Sequence, residues 1–343
     1  MNVKGLATGI GSLPLVDAGE AVKLVFRCVP HIPFWPQLPK LNAREGMVAQ
    51  FSENLPGLKM DPGGLRFAPE DREKELEEFY EKLIFRDVDY FEISRDFASG
   101  LYAFDEYLER ADLSAVKFLK CQVTGPFSFS SAINNAEGKV ILHDKVLMQA
   151  MAKGLGMKAL WQVERFKRFG KKIIMFFDEP YLACVGSAYT PVDRNDVIEV
   201  FRELVEPLKG SGCLVGVHCC GNTDWSMLME AGCIDIINFD AFEFRERFVL
   251  YAENLKDFLK KGGIVCWGIV PTQPDSELVP EQELARRIGE GVDILSAKGV
   301  DRGLICERMM ISPACGLGTL GEARARDTLE LLGRTAALIE KAF

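Results

Sequence analysis

Only three histidines occur in the 343 residues, and one of them, His218, stands directly before two of the ten cysteines in the run VHCCGNTDW. An imidazole and a thiolate are both zinc ligands. On an extended strand alternate residues share a face, so His218 and Cys220 project together and Cys219 points the other way. Two ligands leave a metal half-held. Cys315, in the later run PACGLG, is of the right type to complete the set. Three protein ligands with one position open is the arrangement of catalytic rather than structural zinc. Cysteine is also a small buried hydrophobe, and Cys213, Cys219, Cys233, Cys266 and Cys306 read as core packing. A redox pair is the weaker reading, because adjacent Cys219 and Cys220 lack C-x-x-C spacing and a disulfide between neighbours is strained.

Two further runs could serve such a centre. In FFDEP, Asp178 and Glu179 face opposite ways on a strand end. Asp178 is the better candidate to enter a site, where a carboxylate could hold a substrate ammonium, and the competing role for such a carboxylate is to cap the next segment. In GIGSLP, the backbone N–H groups and the Ser12 hydroxyl could hold a carboxylate, or the run could be an ordinary tight turn.

The elements that would position these residues alternate. From Ala115 onward, strand-like runs (116–125, 171–180, CLVGVHCC, IDIINFD, GIVCWGIV and GLICERMMI) are separated by amphipathic stretches, including helices at 191–209, 246–261 and 280–298 and a final helix from Gly321. Such alternation means a parallel sheet with crossover helices. Two more strands, at 5–14 and in the proline-rich 31–38, bring the count to eight, the closure number of a (βα)8 TIM barrel. The expected fold is therefore α/β: one TIM-barrel domain over 1–343, with an insertion at 39–114 between strands two and three. Helices are expected near 43–53, 70–86 and 97–111 of the insertion, joined by a loop through NLPGLKMDPGGLRFAPE. In a barrel the functional face lies at the C-terminal strand ends. GIGSLP, TGPFS, DEP, HCCGN, FDAFE and SPACGLGTL all fall there.

Composition sets the outer bounds. Hydrophobic residues at 48% suffice for a large core, and a net charge of −9 argues against nucleic-acid binding. No run is long and apolar enough for a membrane span, and the first residues lack the pattern of an export signal. Scattered thiols in such a chain suit a reducing cytoplasm.

In that order, TGIGSLP, TGPFSF, IIMFFDEP, VHCCGN, IINFDAFE and SPACGLGT resemble the C-terminal catalytic barrel of cobalamin-independent methionine synthase. The wider group includes uroporphyrinogen decarboxylase and the corrinoid-linked thiol methyltransferases, and HCCGNT is closer to the wording of the latter. The resemblance implies Zn2+ held by His218, Cys220 and Cys315 with an acidic fourth ligand, matched by Asp240 with Glu243 nearby. It implies amino-acid contacts at Ile10, Gly11, Ser12 and Asp178, and no catalytic side chain beyond the metal site. The family's ammonium-holding glutamate has no clear match around Leu41–Glu45, and its histidine after strand seven is replaced within GIVPTQP. The implied activity is methyl transfer to a small thiol, homocysteine foremost. The donor is either a methylcorrinoid protein or methyltetrahydrofolate. The alternatives are a corrinoid-linked enzyme acting on another thiol, a decarboxylase, which would leave the His-Cys-Cys trio idle, and a non-catalytic thiol- or amino-acid-binding protein.

Overall fold

A computed structural model describes residues 2–61, 64–186, 192–273 and 277–343. The chain opens with β1 (Leu6–Ala7) and α1 (Ala18–Cys28). The insertion follows, with β2 (Leu58–Asp61), β3 (Gly64–Phe67), α2 (Arg72–Ile84) and α3 (Ser99–Leu108). Strict alternation then begins with β4 (Phe118–Thr124), α4 (Pro126–Ser131), α5 (Lys145–Lys167), β5 (Lys172–Asp178) and α6 (Arg194–Val205). It continues through β6 (Leu214–Cys219), α7 (Trp225–Ala231), β7 (Ile236–Asp240), α8 (Ala241–Phe248), α9 (Ala252–Lys260) and β8 (Ile264–Val270). The chain closes with α10 (Glu281–Ala297), α11 (Arg302–Glu307), β9 (Met309–Pro313) and α12 (Glu322–Ala342).

Seven strands form one parallel sheet in the order β1-β9-β8-β7-β6-β5-β4. The eighth stave is the segment 31–37. It joins the free edges of β4 and β1 through isolated parallel bridges, Phe34 to Lys120 and Ser12 to Gln37. The Lys120 N–H donates to the Pro33 carbonyl at 2.9 Å, and the Gln37 N–H to that of Gly11 at 3.0 Å. Pro30, Pro33 and Pro36 have no N–H to donate, which limits this stave to single bridges. The barrel expected from the sequence is thus present.

The two faces of the staves carry different cores. Outward residues such as Leu119, Cys121, Val123, Met175, Phe177, Val217 and Cys219 pack beneath the helices. Inward residues Leu6, Ile32, Phe118, Ile174, Phe176, Ile236, Ile264 and Met310 fill the lower barrel. Toward the C-terminal strand ends the inward positions turn polar: Lys120, Gln122, Asp178, His218, Asn238 and Ser312 are all buried. That change from apolar to polar marks the end of the barrel where chemistry can occur.

Some local expectations are corrected. The helix expected over 43–53 is two 3₁₀ turns, Ala43–Glu45 and Ala49–Phe51, separated by an extended Gly46. The loop expected through 54–70 contains a hairpin in which β2 pairs with β3, Leu58 opposite Phe67. Its tip, Pro62-Gly63, lies outside the described residues, as does Pro191, expected to open α6. That helix is described from Arg194, with the Asp193 carboxylate capping two N–H groups. GLIC, expected as strand, belongs to α11, because Asp301 caps a helix there and β9 starts only at Met309. The helix expected over 246–261 is divided into α8 and α9, and α8 begins earlier because Asp240 caps it. Among the described residues no helix is long and apolar enough to cross a membrane.

Candidate metal centre

His218 lies on β6 and Cys220 one residue past its end; Cys315 follows β9. One ligand atom from each of the three falls within 4.8 Å of the others. Strand parity brings His218 and Cys220 together and sends Cys219 into the outer core. A second device brings Cys315 to them. The Leu317 N–H donates to the Ser12 carbonyl at 3.0 Å and the Gly318 N–H to Ser12 Oγ at 3.2 Å. The loop carrying Cys315 is thereby stitched to the turn after β1. Gly316 permits this approach, since a Cβ there would sit 2.3 Å from Ser12 Oγ.

The tautomer of His218 follows from the hydrogen bonds behind it. Ser312 Oγ donates to the Pro313 carbonyl at 2.8 Å, so it can accept from Asn238 Nδ2, also at 2.8 Å. Asn238 Nδ2 also donates to the Cys266 carbonyl at 2.9 Å. The Asn238 amide is thus oriented with Oδ1 toward His218 Nδ1, 2.5 Å away. Nδ1 must then carry the proton, which leaves the Nε2 lone pair free. Nε2 is buried and has no hydrogen-bond partner. A buried, unpartnered imidazole nitrogen beside two thiols fits a metal ion: soft and borderline donors, with the second ring nitrogen fixed from behind. The Cys315 thiol and then His218 hold Cys220 well below the ordinary thiol range against the effect of burial, and Cys315 is pushed up in turn. Replacing Asn238 with alanine removes the fixed acceptor behind the ring. Divalent-metal affinity is expected to fall about 10–100-fold, as measured by competition with a chromogenic chelator.

The acidic residues divide by role. Asp178 points inward and is buried; its Oδ1 has no partner. Burial pushes its carboxyl up, while Lys120 and His218 oppose this. Glu179, facing the other way, caps α4: its oxygens accept from the Phe127 and Ser128 N–H groups at 2.9 and 2.8 Å and from the Ser128 hydroxyl at 2.7 Å. The two carboxylates thus face opposite ways as expected: Asp178 enters the barrel and Glu179 takes the capping role. Asp240 stands at the end of β7 and outside the compact trio. Its Oδ1 accepts from the Glu243 N–H at 2.9 Å, capping α8, and burial pushes its carboxyl up to about 6. Glu243 is exposed on the first turn of α8. Ile10, Gly11 and Ser12 form the turn after β1, and Pro274 of GIVPTQP lies outside the described residues.

Sequence reasoning did not single out Asn238, Ser312 or Lys120. The signal for the first was present: Asn238 precedes Asp240 by two on a buried strand, so a polar side chain had to enter the barrel beside His218.

No family model and no curated protein matches the chain. Among solved structures, a B12-independent methionine synthase from Shewanella sp. W3-18-1, in complex with selenomethionine, superposes with a TM-score of 0.61. It is 17% identical, and the match covers 99% of this chain and 98% of that one. The apo form of the 3-keto-D-glucoside 4-epimerase YcjR from E. coli reaches a TM-score of only 0.38 at 14% identity, over 74% of this chain and 93% of that one. The chain therefore has a TIM-barrel fold, similar to that of the B12-independent methionine synthase.

Proposed function

We propose that the protein is a zinc-dependent methyltransferase whose acceptor is a small thiol amino acid, homocysteine foremost, with methionine as product. The observation that carries this reading is the free Nε2 of His218 facing the thiols of Cys220 and Cys315 at the barrel mouth. The neighbouring fold's complex with selenomethionine, the selenium analogue of such a product, supports it.

The residues divide the work. His218, Cys220 and Cys315 would hold zinc; Asp240, at the end of β7 and outside this compact trio, would have to give up its cap on α8 to join them as a fourth ligand. Zinc bound there would lower the pKa of an incoming thiol, which at neutral pH is otherwise mostly protonated and a poor nucleophile. Asp178 faces the site with an unsatisfied carboxylate oxygen suited to the acceptor's ammonium. The turn Ile10–Ser12 offers N–H groups to its carboxylate. Held at both ends, the acceptor presents its sulfur to the donor methyl group in line. The thiol proton would leave to solvent on binding. A sulfur–carbon bond then forms while the bond from donor to methyl breaks, and that electron pair stays with the donor.

The donor is a methylcorrinoid, free or carried on a partner protein, or methyltetrahydrofolate. The test is a transfer assay on zinc-loaded protein with homocysteine and, separately, methylcobalamin or methyltetrahydrofolate. Methionine is expected from one donor, and absence of turnover with every thiol tried would refute the enzyme reading.

A further inference from the structure

Lys120 is fully buried inside the barrel, on the inward face of β4. The other fully buried lysine, Lys158, lies on α5, outside the sheet. Among the described residues Lys120 is therefore the one buried lysine or arginine within the barrel. A buried ammonium is costly and is usually replaceable by an apolar side chain of similar volume. The neighbouring inward side chains Phe118 and Ile174 are apolar, so packing alone does not account for a lysine here.

The surroundings of Lys120 are fixed and point upward. Its Nζ donates to the Ile10 carbonyl and, at 3.1 Å, to Gln122 Oε1. Gln122 cannot turn away, since its Nε2 donates to the Trp35 carbonyl at 2.9 Å. Trp35 is held in turn through its indole N–H on Gln162 Oε1, also at 2.9 Å. The Phe176 ring, 4.8 Å away, and the Phe34 ring, 5.9 Å away, flank the ammonium. With the Ile10 carbonyl drawn toward the ammonium, the peptide plane of the turn is set. The N–H groups of Ile10, Gly11 and Ser12 donate to no backbone carbonyl among the described residues. Asp178 opposes the fall that burial imposes on the Lys120 pKa, which reaches about 8.

We infer that Lys120 is a positioning residue that holds the Ile10–Ser12 turn and places a positive charge beneath it, so that the mouth selects thiols bearing a carboxylate. This rests on the methyltransferase reading only for the placement of the acceptor, and a binding measurement separates the two.

The experiment is calorimetric titration of zinc-loaded protein with homocysteine and with 3-aminopropane-1-thiol, which lacks only the carboxylate. The wild type is expected to bind homocysteine about 10-fold or more tightly. Lys120→Met should remove most of that preference by weakening homocysteine alone. Lys120→Gln, which keeps a donor for the Ile10 carbonyl but no charge, should fall between and serves if the methionine variant does not fold. Zinc content should stay at the wild-type value in both. Equal affinity of the wild type for the two thiols overturns the inference, as does a preference unchanged in the variants or equal weakening of both thiols. A carboxylate preference in a protein that transfers no methyl group would leave this inference standing and remove the enzymatic one.

Discussion

A Cys315→Ala variant is expected to lose stoichiometric zinc and, with it, methyl transfer to any thiol. The trio is compact, with ligand atoms within 4.8 Å, and no other Cys, His or acidic group of the described residues joins it. Removing one of three ligands leaves His218 and Cys220, the same half-site that β6 presents by itself. Changes to residues behind a ligand typically weaken a metal site about 10–100-fold, so loss of a direct ligand should exceed about 100-fold. Metal analysis of protein purified without added zinc should read near one per chain for the wild type and near zero for the variant. The fold should survive, because Cys315 is only half-buried in a loop held by its Leu317 and Gly318 N–H groups. Stoichiometric zinc persisting in a folded Cys315→Ala protein would remove Cys315 from the centre.

The half-site on β6 was legible because parity on a strand is a rigid rule. Once HCC was read as extended, His218 and Cys220 had to share a face and Cys219 had to leave it, and the packing of Cys219 agrees. The same rule separated Asp178 from Glu179. Only the structure shows that Glu179 is spent on capping α4, since that depends on which helix end lies above the strand. The eighth stave was visible from its place in the alternation, although its prolines reduce it to bridges. Less could be read where a residue serves two geometries. Asp240 is matched by the family resemblance as a ligand, and it is also an N-cap whose Oδ1 is already engaged. Lys120 gave no local signal, because a lysine at an alternating strand position normally reads as solvent-facing. Its inward course follows only from barrel closure, which depends on contacts distant in sequence. The hairpin of the insertion had a turn signal in DPGG, but with four residues per strand its alternation was too short to outweigh a loop reading.

Asp178→Asn tests the acceptor side of the same mouth. The carboxylate is buried, registered beside His218 across β5 and β6, and leaves Oδ1 without a partner. An unsatisfied buried acceptor is expensive in a resting protein and is characteristic of a position reserved for a ligand. An incoming ammonium would satisfy it through a charge-assisted hydrogen bond of about 1.5–3 kcal/mol. Replacement by the isosteric amide keeps the shape and removes the charge. The KM for homocysteine should therefore rise about 10–100-fold with kcat changed little, since the interaction is present equally in ground and transition states. The KM for 4-mercaptobutanoate, which is homocysteine without its amino group, should barely move. Zinc content separates this role from metal ligation, to which Asp178 is close enough to be a rival. A variant that keeps its zinc and loses homocysteine affinity assigns Asp178 to the ammonium. One that loses zinc makes it a ligand, and one that weakens both thiols alike reduces it to a structural carboxylate balancing Lys120.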